Sequence, residues 1–172
     1  MRKPVWLFSE GSLKRRDLLG NKGANLCEMT SLGMPVPFGF IITTQTHLEY
    51  QRLRQRIPEG TMEEVKAALL KMEIRQGAEF GNPVNPLLVS VRSGASVSMP
   101  GMMDTLLNLG INDEIVEGLA KLTANPRFAY DTYRRFLQLY GAVVGGKGTH
   151  PFTQIFKDYR QQHGLEEHAD LD

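Results

Sequence analysis

Strand-like and helix-like stretches alternate along this chain as far as residue 111, and from Asn112 onward only helix patterns remain. That change of character constrains the fold more than any single motif does. In the first part, Val5-Trp6-Leu7-Phe8 reads as a short strand and Gly11 to Arg16 as a polar connection. Lys22 to Leu32 follows as a helix with Leu26 and Met29 on one face, and Gly33 is placed to end it in the left-handed conformation. Phe38 to Thr43 is a second strand. Thr44 is expected to cap a helix reaching about Gln55. Thr61-Met62-Glu63-Glu64 has capping-box spacing ahead of a helix to about Arg75. In the second part, helices are expected from Asp113 to Leu122, from Pro126 to near Gly141 with Asn125 as cap, and from Pro151 to His163 with Gly164 as the stop. The expected fold class is α+β, an α/β part over residues 1–111 followed by a helical part over residues 112–172.

With 172 residues, 41% of them hydrophobic, the chain has enough apolar material for a real core. Lys+Arg (20) and Asp+Glu (19) nearly cancel, so the basic excess that would argue for nucleic acid or an anionic membrane is missing. No apolar run approaches the roughly 18 residues of a membrane span, and Met1-Arg2-Lys3-Pro4 is not followed by a stretch of signal-peptide character. The lone Cys27 cannot form an internal disulfide and fits a reducing compartment. A cytoplasmic location is expected.

The segment from Leu87 to Asp104 carries the chemistry. It begins as the apolar, β-branched run Leu87-Leu88-Val89-Ser90-Val91, and then breaks into small residues with Arg92 at the junction. Gly94 and Gly101 let backbone N–H groups approach an anion, Ser96 and Ser98 add hydroxyl donors, and Arg92 supplies a planar fork of charged donors. A phosphate site fits this composition; so does an ordinary surface loop after a strand. A second phosphate contact is Lys22 in Gly20-Asn21-Lys22-Gly23-Ala24, where a lysine between glycines at a helix start adds full charge to the positive end of the helix dipole.

Two other patterns fail. Gly141-Ala142-Val143-Val144-Gly145-Gly146-Lys147-Gly148-Thr149 resembles a P-loop, but Gly148 stands where the magnesium-binding hydroxyl belongs, and a helix pattern precedes it where a P-loop needs a strand. His47, His150, His163 and His168 lack zinc-ligand spacing, so no metal site is expected from them. Asp104 and Glu28 either touch a magnesium ion or simply cap and pair.

Taken together, several of these stretches resemble the N-terminal region of pyruvate phosphate dikinase. They are Gly20-Asn21-Lys22-Gly23-Ala24-Asn25-Leu26, Pro35-Val36-Pro37-Phe38-Gly39-Phe40, the block from Val89 to Gly110, and Asn125-Pro126-Arg127-Phe128-Ala129-Tyr130-Asp131 with Tyr133-Arg134-Arg135-Phe136. The loop Ser98-Met99-Pro100-Gly101-Met102-Met103-Asp104 resembles the dikinases rather than the related phosphoenolpyruvate synthases. The resemblance implies the first part of an ATP-grasp nucleotide-binding domain followed by an inserted helical subdomain. It implies ATP and Mg2+ as cofactors, with Lys22 and Arg92 on the phosphates, Gly94, Ser96, Ser98, Gly101 and Asp104 around them, and Arg92 as the catalytic residue.

In the family, ATP phosphorylates a histidine on a swivelling domain, and that phosphoryl group later makes phosphoenolpyruvate from pyruvate, with AMP and diphosphate as co-products. The resemblance therefore implies ATP and a phosphohistidine-carrying domain as partners, and a homodimeric parent. The magnesium ligands, that histidine and the pyruvate site belong to parts of the family pattern beyond residue 172. The chain accordingly reads as a fragment that is inactive alone. A non-enzymatic remnant with weak nucleotide or partner binding, and a phosphoenolpyruvate synthase-type transferase, are the alternatives.

Overall fold

A computed structural model describes residues 3–94, 105–146 and 150–164. Among these the chain forms two compact units, one of residues 3–77 and 92–94 and the other of residues 78–91, 105–146 and 150–164.

The first unit is built on a two-stranded antiparallel sheet. Strand β1 (Val5–Leu7) pairs with β2 (Phe40–Ile42) in the register Val5↔Ile42, Trp6↔Ile41 and Leu7↔Phe40. The pairing continues past both strands, since Phe8 N–H donates to the Gly39 carbonyl and Thr43 N–H to that of Pro4. Gly39 permits this closeness, because a Cβ there would lie 2.5 Å from the Phe8 ring. Helix α1 (Arg16–Ser31) lays Leu19, Ala24 and Cys27 on the sheet against Trp6, Phe8, Leu13 and Ile41. Trp6 also carries Lys3 at 5.4 Å and Arg15 at 5.2 Å from its ring, a cation–π contact with each. Lys3 is further tied to Glu10 at 2.7 Å.

Helices α2 (Thr44–Arg52) and α3 (Thr61–Gln76) complete this unit. Both begin differently from expectation. Thr43, not Thr44, caps α2: its buried hydroxyl accepts from Thr46 N–H, while Thr44 Oγ1 donates to the Asp17 carbonyl at 2.6 Å and so ties α2 to α1. The helix also stops at Arg52, short of Gln55. Thr61 does not cap α3. Gly60 enters the helix at φ 77°, which places Thr61 inside the first turn, and the Thr61 hydroxyl is buried with no hydrogen-bond partner among the described residues. The end of α3 fits the usual pattern, with Gly77 at φ 64°.

The second unit has its own antiparallel pair, β3 (Val89–Val91) and β4 (Leu106–Leu109), with Val89 opposite Leu109, Val91 opposite Leu106 and a bulge between. Strand β4 was not expected from the sequence. Its Asn108 sits at φ 58°, which supplies the irregularity and interrupts the period-two pattern that would have announced a strand. Leu106 joins Ile111 and the buried faces of α4 (Asp113–Thr123) and α5 (Pro126–Val143) in one apolar cluster: Ile115, Val116, Leu119 and Ala120 from α4, Ala129 and Phe136 from α5.

Both helices start as their sequence dictates. The Asn112 side chain accepts from the N–H groups of Glu114 and Ile115, and Asn125 accepts from Phe128 N–H with Pro126 behind it. Helix α5 runs two residues past Gly141, to Val143. Helix α6 (His150–His163) meets α5 where the Phe152 ring occupies the space a Cβ at Gly141 would need, 2.2 Å away, and where Arg134 lies 4.9 Å from the Phe156 ring.

Candidate phosphate site

The Gly20-Asn21-Lys22-Gly23 motif works through its glycines. Gly20 breaks α1 with φ 69° and ψ 166°, a conformation L side chains rarely adopt, so the helix restarts after it and Lys22 falls in the new first turn. Gly23 faces the sheet, where a Cβ would come 2.9 Å from Ile41 Cδ1, and together with Ala24 it lets the helix lie close to β2. With positions 19, 20, 23, 24 and 27 buried, Lys22 is carried on a less covered face and is half-buried. Asn21 and Asn25 are joined there by a 3.5 Å hydrogen bond.

Arg92 is the first residue beyond β3, exposed, with Gly94 exposed just after it. Val91, just before Arg92, pairs with Leu106 of β4. Ser96, Ser98, Gly101 and Asp104 lie outside the described residues. Of the sequence-derived site, Lys22 and Arg92 are thus the two charged members that can be placed, and both belong to the first unit. Among the described residues neither forms an ion pair with a carboxylate. A point charge on a helix start and a planar fork at a strand end are each a side-chain type suited to an anion with several oxygens.

Asp131, Tyr130, Tyr133 and Cys27, whose ionisation is shifted, are tied up in structure. In the Asp131 carboxyl, partial burial pushes toward the neutral form, but hydrogen bonds and charge from Arg134 and Arg135, each 2.7 Å away, outweigh it and hold the group below the usual carboxylate range. Hydrogen bonds to carboxylates push the phenols up in Tyr130, which donates to Glu117, and in Tyr133, which donates to Asp113 at 2.5 Å. Burial pushes up the thiol of Cys27, which leaves it a packing residue rather than a nucleophile. Among the described residues, a surface cleft of about 310 Å3 around Phe8, Phe38 and Arg75 and another of about 560 Å3 around Val84, Glu114 and Lys121 do not include Lys22 or Arg92.

No three of His, Cys, Asp and Glu come together among the described residues in a way that would hold a metal ion. His47 faces Gln51 at 3.0 Å and His163 the Tyr159 carbonyl at 2.9 Å, both within their own helices. The P-loop-like stretch begins inside the last turn of α5, at Gly141, with Val144 N–H still donating to the Tyr140 carbonyl, so a helix and not a strand leads into it.

The residues 45–168 match the family described as the pyruvate phosphate dikinase AMP/ATP-binding domain. Arg92 lies within that span and Lys22 before it. The chain is 49% identical over 171 residues to pyruvate, phosphate dikinase of Clostridium symbiosum, covering 99% of this chain and 20% of that protein. It is 48% identical to the Entamoeba histolytica dikinase, over 98% of this chain and 19% of the relative, and 52% identical to that of Giardia intestinalis, over 91% and 18%. The chain spans about a fifth of the length of the curated relatives it matches. No helix among the described residues is long and apolar enough to cross a membrane.

Proposed function

The chain belongs to the pyruvate phosphate dikinase AMP/ATP-binding domain family, and from that premise we propose that it grips the phosphates of ATP through Lys22 and Arg92 on behalf of a dikinase reaction. The observation that carries the reading is the coincidence of that nucleotide-binding match with two cations, in one unit, that no described carboxylate neutralises. Phosphoryl transfer asks a protein for placement and charge neutralisation more than for covalent chemistry. Lys22 supplies the compact charge at a helix start, whose dipole already favours an anion. Arg92 binds two oxygens at once and holds the phosphate in a fixed plane.

Gly94 leaves room for main-chain approach, and Ser96, Ser98, Gly101 and Asp104 complete the same cradle. In that reading residues 1–111 are the first part of the ATP-grasp clamp and residues 112–172 belong to the inserted helical subdomain, while the magnesium ligands and the phosphohistidine-carrying domain belong to the rest of the dikinase. The chain supplies one phosphate-binding side of the clamp, and the whole dikinase, a cytoplasmic homodimer, makes phosphoenolpyruvate.

Calorimetric titration of the chain with ATP, AMP and adenosine tests this. Affinity should fall in that order, and in a Lys22→Ala, Arg92→Ala double variant the three should converge. Equal affinity for adenosine and ATP in the unmutated chain would contradict a phosphate-directed site.

A further inference from the structure

The end of helix α2 is built against the ordinary rules. Gln55 N–H donates to the Tyr50 carbonyl at 2.9 Å and Arg54 N–H to that of Gln51 at 3.1 Å, the two bonds of a Schellman turn. The left-handed position of such a turn normally carries glycine, and this chain does use glycine after α1 and α3, at Gly33 and Gly77. Here Arg54 occupies it at φ 53°, and Gln55 follows at φ 64°. Two successive residues with side chains are held in a conformation that disfavours them. The turn displays Arg52, Arg54 and Arg56 within five residues, all exposed and none paired with a carboxylate among the described residues, although Glu49 and Glu59 stand close in sequence. Leu48, Leu53 and Ile57, each between 43% and 56% exposed, are interleaved with them.

We propose that the Arg52–Arg54–Arg56 turn is a docking surface for an acidic segment of a partner protein that carries an aliphatic anchor. Charge complementarity names the acidic component: three guanidinium forks on one rigid turn match a row of carboxylates bidentately. The exposed Leu53 and Ile57 name the anchor, since burying them is the favourable step left open on this face. Nucleic acid fits less well. The interleaved side chains are aliphatic rather than the aromatic platforms on which bases stack, and the chain's net charge is only +1.

The test is fluorescence anisotropy of the full 172-residue chain with a labelled twelve-residue peptide of alternating glutamate and leucine, beside a lysine–leucine peptide and single-stranded oligo-dT. The glutamate–leucine peptide should bind, more weakly as salt rises, and the lysine–leucine peptide should not. R52E/R54E/R56E should weaken binding by about tenfold or more, and L53S/I57S by several-fold. R54G separates recognition from folding: glycine relieves the left-handed position, so the melting temperature should rise while peptide affinity falls. Failure of the glutamate–leucine peptide to bind, unchanged binding by the triple variant, R54G binding as tightly as the unmutated chain, or tighter binding of oligo-dT would each overturn the proposal.

Discussion

Lys22 and Arg92 on one side, and the charged residues of α4 and α5 on the other, show two uses of the same side-chain chemistry. On α5, Asp131 is bonded by Arg134 and Arg135, and the phenols of Tyr130 and Tyr133 reach back to Glu117 and Asp113 on α4. The two tyrosine–carboxylate bonds join α5 to α4 beside an apolar cluster, and the Asp131 ion pairs brace α5 itself. Among the described residues Lys22 and Arg92 have no such carboxylate partners, and the glycines around Lys22 fix the backbone instead. Cations already committed to structure should affect stability when removed, and uncommitted ones should affect ligand affinity.

The sharpest way to break that division is in the second unit's core. Ile115, 1% exposed, should cost about 2–5 kcal/mol when cut to alanine, measured by urea unfolding. A loss under 1 kcal/mol would mean that α4 and α5 do not share the cluster. Next in size is Arg92→Ala. Losing a charged hydrogen-bond set costs about 1.5–3 kcal/mol, on the order of 10- to 150-fold in ATP affinity, with the urea midpoint unmoved. Asn112→Ala removes the side chain that accepts two N–H groups at the start of α4, and should cost about 0.5–2 kcal/mol of stability with no change in nucleotide affinity.

Smallest is Asp131→Asn. The folded-state pKa of Asp131 is lowered, so its contribution is present above the unfolded value and is lost as pH falls through the folded one. The variant should therefore flatten the acid limb of the stability–pH curve while leaving binding alone. The group is more than a third exposed, so solvent screening keeps the effect small.

How far these regions could be read from sequence follows the range of the interactions. Helix α5 announces itself locally, because Asn125 and Pro126 fix its start and Phe128, Tyr133, Phe136 and Tyr140 keep a helical period. Strand β4 does not. It exists because Val91 finds Leu106 across an intervening segment, and Asn108 at a positive φ hides the alternation. Helix α3 does begin at Thr61, but Thr61 does not cap it, because the chain enters through a left-handed Gly60, a turn geometry that capping-box spacing does not distinguish.

For the candidate site, residue types point to Lys22 and Arg92, since cations beside glycines at element ends are local features. The break at Gly20 that sets where the helix restarts, and the closeness of Gly23 to Ile41, depend on packing against β2. Arg54 is the opposite case: nothing in Leu53-Arg54-Gln55-Arg56 signals two left-handed residues, because neither is glycine or asparagine.

One pair of titrations bears most directly on the division between structural and ligand-binding cations. ATP is titrated calorimetrically into the Arg92→Ala and Arg134→Ala variants, alongside a thermal melt of each. Arg92→Ala should lose about 10- to 150-fold in affinity with its melt unchanged, and Arg134→Ala should keep its affinity while melting slightly earlier. Equal losses of affinity in the two variants, or full affinity in Arg92→Ala, would contradict the account.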